Sequence, residues 1–323
     1  MTPPLFDHQS PDNAHTPQAR TAAAARSTWV SVVVNLVLSV LQVVVGIEAR
    51  SQALIADGLH SLSDLVADFV VLFANHHAAK APDEEHPYGH HRFETAASLM
   101  LGLLLLGVGG GMAWSAVAKV QNPAALQPVH VVALWVALAT LVLKELLFRY
   151  LLRVAKRVKS SMLVANAWHA RSDAASSLVV AIGIAGNLAG YTTLDAIAAL
   201  VVGLMVARTG WRFGWSALHD LMDSAVDADE VQAIRKTLHE TPGVRGVHDV
   251  RTRKMGDMVV VDVHLEVDAM LSVEAGHTIA VNARARVLQR HRVLDVMTHV
   301  DPWHRPDLDH VPPSARSGSA AVE

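Results

Sequence analysis

The feature that most constrains this chain is an uncharged run from Thr28 to Ile47, "TWVSVVVNLVLSVLQVVVGI". A helix rising 1.5 Å per residue needs about 20 apolar residues to cross the hydrocarbon core of a bilayer, so the run predicts a membrane span. Further apolar segments at 53–79, 96–118, 129–150, 162–189 and 194–213 bring the expected number of spans to six. Composition agrees, with 51% hydrophobic and 18% charged residues in 323 and a positive mean hydropathy. The opening "MTPPLFDHQSPDNAHTPQAR" is polar, rich in proline and without an apolar h-region, so it does not resemble a secretory signal peptide. Residues 1–27 read as a disordered tail.

Basic residues orient the spans. Arg20 and Arg26 precede span one, Lys80 and Arg92 lie between spans two and three, and Arg149, Arg153, Lys156, Arg157 and Lys159 lie between four and five. The opposite loops hold only Arg50 and Lys119, which predicts cytoplasmic termini. Gly107, Gly109, Gly110 and Gly111 in span three predict close helix packing. After the membrane region (28–215) the composition becomes that of a soluble domain (216–304), followed by a Pro/Ser/Ala-rich tail (305–323) expected to be disordered. In the soluble part "DADEVQAIRKTLHETPG" predicts a helix with Asp227 as N-cap and Glu230 completing a capping box. Two strands follow, joined near Gly256 and Asp257, then a second helix and a third strand. The expected fold class is therefore an all-α six-helix transmembrane domain plus a cytoplasmic α+β layer of order αββαβ, ferredoxin-like in type.

The near-balanced net charge of −3, with no basic patch interleaved with aromatics, argues against a nucleic-acid partner. The absence of cysteine excludes disulfides, iron–sulfur clusters and thiolate zinc sites. Nineteen histidines leave imidazole and carboxylate as the available metal ligands.

Ionisable groups are expensive inside a bilayer, yet span two carries Asp57, His60, Asp64 and Asp68. Residues four apart share a helix face, so His60, Asp64 and Asp68 form one stripe with Asp57 a turn earlier. Span five repeats the pattern with Asn166, His169 and Asp173 at the offsets of Asp57, His60 and Asp64. Face to face, His60, Asp64, His169 and Asp173 offer two imidazoles and two carboxylates, enough for a tetrahedral divalent cation. Asp57 and Asn166 are placed as supports for those ligands, and Asp68 on the cytoplasmic access path.

The pair "HSLSD" and "HARSD", the six spans, the loop "HPYGHHRFE" and the αββαβ tail together resemble the cation diffusion facilitator family of divalent-metal exporters, over about residues 28–302. The resemblance implies a homodimer that exchanges a cytoplasmic divalent cation for protons. In many zinc and iron members the span-two pair is Asp-x-x-x-Asp, whereas here its first position is His60, as in zinc-selective members. The likeness also implies a loop site of Asp83, His86 and His90, and cytoplasmic sites of His248, His264, His277, His299 and Asp301, the last able to bridge two ions. It further implies a contact between Arg92 and Asp223 that ties the membrane and cytoplasmic halves.

The expected function is a proton-coupled antiporter in a bacterial inner membrane, with Zn2+ as substrate and regulatory ligand. Fe2+, Co2+, Ni2+, Cd2+ and Mn2+ remain open, since the same ligands serve several of these ions. An intramembrane metalloenzyme would carry His-Glu-x-x-His and an open position for water. The chain has no such motif, so it is read as a transporter and not an enzyme. A passive channel differs in keeping its flux when the proton gradient is collapsed.

Overall fold

A computed structural model describes residues 17–122, 128–158 and 161–303. Lys159, the first sixteen residues and the expected C-terminal tail lie outside them. Six long helices come first: α1 (Pro17–Glu48), α2 (Gln52–Ala78), α3 (Arg92–Gln121), α4 (Val131–Val158), α5 (Ser161–Leu188) and α6 (Leu194–Leu221). Helix α1 begins ahead of the expected Thr28, with proline at its first position and an alanine run behind it, both favourable to a helix start. Among the described residues four helical stretches are apolar enough to cross a membrane by length and composition, in α1, α3, α4 and α6. The two that fall short, α2 and α5, are the bearers of the polar stripes.

The chain divides into two compact units. The first holds α1, α2 to Leu72, α3 from Met100, α4, α5 and α6 to Gly214. Its buried centre is rich in alanine, with Ala49, Ala53, Ala56, Ala116, Ala133, Ala137 and Ala198 packed around Leu54, Val180, Ile184 and Val202. Small side chains let helices approach closely where no hydrophobic effect between spans drives them together. The large apolar side chains point outward instead, Leu103 and Trp114 among them, as a lipid-facing surface requires. The span-three glycines divide. At Gly109 a Cβ would fall 2.7 Å from the Gly203 carbonyl of α6, so this position does need glycine. Gly107, Gly110 and Gly111 face open space, contrary to the expectation for them, and Gly102 supplies the second close approach.

The second unit holds the end of α2, the 79–91 loop, the first turns of α3, the end of α6 and the soluble layer. That layer runs α7 (Ala228–His239), β1 (Gly246–Met255), β2 (Met258–Asp268), α8 (Val273–Arg290) and β3 (Val293–Trp303), the expected αββαβ order. The sheet order is β1-β2-β3, antiparallel between the first pair and parallel between the second. Period-two alternation buries Val259, Val261, Val263 and Leu265 against Ile234, Leu238, Ala280, Ala283 and Val287 of the two helices. Asp262, His264 and Glu266 are left on the opposite face. Asp227 is the N-cap of α7, but its side chain makes no capping hydrogen bond, so the expected capping box does not form. Ser272 does cap α8, accepting from the Ala275 amide. The β1–β2 turn uses Gly256 at φ 63°, and the next amide, of Asp257, donates to Glu94 of α3.

Candidate metal centres

In the helical unit, His60 and Asp64 from α2 and Asp173 from α5 each place one ligand atom within 4.8 Å of the other two. His60 Nδ1 lies 3.4 Å from Asp64 Oδ2, and that buried oxygen has no hydrogen-bond partner among the described residues. Beside them is a cavity of about 30 Å3, lined by Asp64, Asp68, Asn166, His169 and Asp173 with Ser31 and Asn35 of α1. Its size suits one ion or one water. His169 therefore lines the same cavity, but its ring is exposed and stands outside the three-residue cluster. Asn166 and Asp68 share the cavity wall.

Asp57 is fully buried and its hydrogen bonds run to residues that sequence reasoning did not single out. Gln42 of α1 donates to it, as do Ser176 (3.1 Å) and Ser177 (2.6 Å) of α5. Lys144 of α4, only 2% exposed, places its ammonium 3.6 Å from the same carboxylate. The ammonium also donates to Ser61 Oγ at 3.0 Å and Ser177 Oγ at 2.9 Å, and lies 3.5 Å from the Asp173 carbonyl. The signal was available, because "VALATLVLKELLF" carries a lysine in the middle of an apolar span.

The 79–91 loop gathers Asp83, His86 and His90 within the same 4.8 Å limit. Asp83 Oδ1 accepts from the amides of Glu85 and His86, closing a tight turn. The His86 amide is the main reason the Asp83 carboxyl is held below its ordinary range. His90 is buried, with Nε2 3.3 Å from Asp83 and Nδ1 without a hydrogen-bond partner among the described residues. Arg92, at the start of α3, donates to Asp223 at 2.6 Å. Asp223 ends α6 in the left-handed region at φ 59°, a conformation more usual for glycine.

In the soluble layer, strand register builds the cluster. His248 pairs with His264 across β1–β2, and His264 with His299 across β2–β3, so three imidazoles form a row. Asp301 stands in the next row opposite Glu266. Its carboxylate is 2.8 Å from His264, 3.3 Å from His248 and 3.2 Å from His299. Glu266 approaches His248 at 3.6 Å, a contact not anticipated from the sequence. His277 is set apart, sharing with Asp301 the wall of a cleft of about 390 Å3.

The family model described as the cation efflux transmembrane domain matches residues 28–222, and that of the cation efflux protein cytoplasmic domain matches 226–303. Metal tolerance protein C1 of Arabidopsis thaliana is 37% identical over 281 residues, 82% of this chain; the match spans 59% of that longer relative. The manganese efflux system protein MneS of Bacillus subtilis is 34% identical over 84% of this chain and 93% of its own length. The magnetosome protein MamB of Magnetospira is 32% identical over 87% of this chain and 98% of its own.

Proposed function

Because the chain belongs to the cation efflux family of divalent-metal transporters, we propose that it is a homodimeric antiporter that moves Zn2+ out of the cytoplasm in exchange for protons. The observation that carries this reading is the cluster of His60, Asp64 and Asp173 between two long helices, with an Asp64 oxygen that no protein group satisfies among the described residues. A desolvated carboxylate needs a compensating charge, and a divalent cation supplies it. His169, on the wall of the adjoining cavity, completes a four-ligand set by a side-chain rotation.

The residues then do the coupling. Imidazole binds a metal only when unprotonated, so protons and the metal compete for His60 and His169, and loading from the cytoplasm displaces protons from the site. Protonation from the opposite side removes the ligands and ejects the ion. The Asn35, Asp68 and Asn166 wall is the entry from the cytoplasm, with both termini on that side. Asp83, His86 and His90 form a weaker loop site, and His248, His264, His277, His299 and Asp301 bind regulatory metal in the soluble layer. Arg92 and Asp223 couple movements at the ends of α3 and α6.

Two imidazoles favour zinc; the relative named for manganese efflux favours a second reading in which Mn2+ is the cargo. Competition among divalent cations for uptake into proteoliposomes separates them. In the same assay Asp64→Ala abolishes flux in a chain that still inserts, and collapsing the pH gradient stops uphill transport. Flux within about twofold of the unmodified chain in the Asp64 variant overturns the site assignment. Undiminished uphill transport without the gradient overturns the antiport.

A further inference from the structure

The transport reading uses Asp64 and Asp173, leaves Asp57 only as a support for them, and gives no role to the cation beside it. Three carboxylates crowded between α2 and α5 in a low-dielectric setting repel one another, and each added negative charge strengthens attraction for a cation. Lys144 is the one lysine or arginine that the described residues place in this cluster. A lysine ammonium has three N–H donors, and here they face Ser61 and Ser177 hydroxyls and the Asp57 carboxylate. Asp57 is in turn saturated by Gln42, Ser176 and Ser177. Each serine hydroxyl shares its single proton between Asp57 and the carbonyl of Asp173, which lies 2.8 Å from Ser176 and 3.2 Å from Ser177, so the network reaches the backbone of a ligand.

We propose that Lys144 is the charge-setting and positioning residue of the transport site: it neutralises Asp57, so that only Asp64 and Asp173 balance the ion, and it holds α2 and α5 in register through Ser61, Ser177 and the Asp173 carbonyl. The pair sets how tightly the site grips its cargo. Without Lys144 an additional uncompensated carboxylate sits beside the ion, and release becomes slow. Without Asp57 an uncompensated ammonium remains, and loading becomes weak. The inference rests on the transport reading, since a charge on the site matters only if the site carries metal.

The test is the KM and kcat of metal uptake into proteoliposomes, from initial rates against the concentration of whichever of Zn2+ and Mn2+ the unmodified chain moves faster. Lys144→Met is expected to lower KM and kcat together, each by about tenfold or more, whereas Asp57→Asn raises KM by about tenfold. The Asp57→Asn/Lys144→Met double variant, which removes both charges, brings KM back to within about threefold of the original. Lys144→Arg keeps the charge and most of the flux. If the two single variants shift KM in the same direction, or the double variant is no better than Asp57→Asn, the network is only a helix clamp and the proposal fails. Should Lys144→Met not insert, Asp57→Asn and the double variant decide the matter by themselves. Asp64→Ala, run alongside, separates the two levels: normal flux in that variant defeats the transport reading, while loss of its flux with no opposition between the Lys144 and Asp57 variants defeats only the charge-setting role.

Discussion

The helix-borne cluster and the sheet-borne cluster use the same two side-chain chemistries in opposite settings. His60 and Asp64 are 13% and 25% exposed, while His248 and His264 on the sheet are 47% and 37% exposed. In the first, an Asp64 oxygen has no hydrogen-bond partner among the described residues, and a buried Lys144–Asp57 ion pair lies close by. In the second, one carboxylate, Asp301, is shared by three imidazoles open to water. Charge interactions are weak in water and strong away from it. Loss of a single ligand should therefore act as a switch in the helices and as a graded change on the sheet.

The sharpest break of that comparison is a matched pair of substitutions. Asp173→Ala is expected to remove metal flux entirely, whereas Asp301→Ala lowers only the number of zinc ions bound per chain, measured by equilibrium dialysis. Equal damage to flux from both would mean that burial does not distinguish the clusters.

A smaller effect is expected from the packing beneath the sheet site. Leu265 is completely buried, with its sequence neighbours His264 and Glu266 on the opposite face of β2. Leu265→Ala should destabilise the layer by about 2–5 kcal/mol. Hydrogen exchange of β2 amides in the full chain reads this as faster opening, and the row of His248, His264 and His299 should loosen with it. Unchanged exchange would show that register does not depend on this core.

The smallest effect concerns the loop, where the Asp83 side chain is about half exposed. Its carboxyl is held below the ordinary range, chiefly by the His86 amide, so the turn is stabilised above the usual carboxylate pKa. That contribution is lost as pH falls through the lowered value. Asp83→Asn should therefore remove the acid-range change in loop order, seen by NMR of the Glu85 and His86 amides, while leaving the fold intact. A transition that persists in the variant would assign it to another group.

How much could be read beforehand depended on whether a feature was local. The His60/Asp64 and His169/Asp173 stripes follow from helix periodicity, and the row of His264 and Glu266 from strand alternation. The order αββαβ was legible for the same reason. Lys144 did carry a signal, as a lysine within an apolar span, but hydropathy averaged over a window passes over one ammonium among leucines and valines, and its partners on other helices are not a local feature. The capping box at Asp227 was misread because an acceptable residue pair does not oblige the side chain to turn back on the helix end. Of the four glycines expected to pack closely only Gly109 faces α6, and Gly102, which was not singled out, does so as well, since the contact face of a helix depends on its neighbour.

By itself the sequence determined six long helices, three strands in αββαβ order, and which candidate ligands share a face, because spacing along a helix or strand is a covalent property. Only the tertiary structure decided that Gln42, Asp57, Lys144, Ser176 and Ser177 meet, and that His169 stands outside the cluster that His60, Asp64 and Asp173 form. The physical reason is that a charge becomes demanding only when it is desolvated, and desolvation is a result of how helices pack.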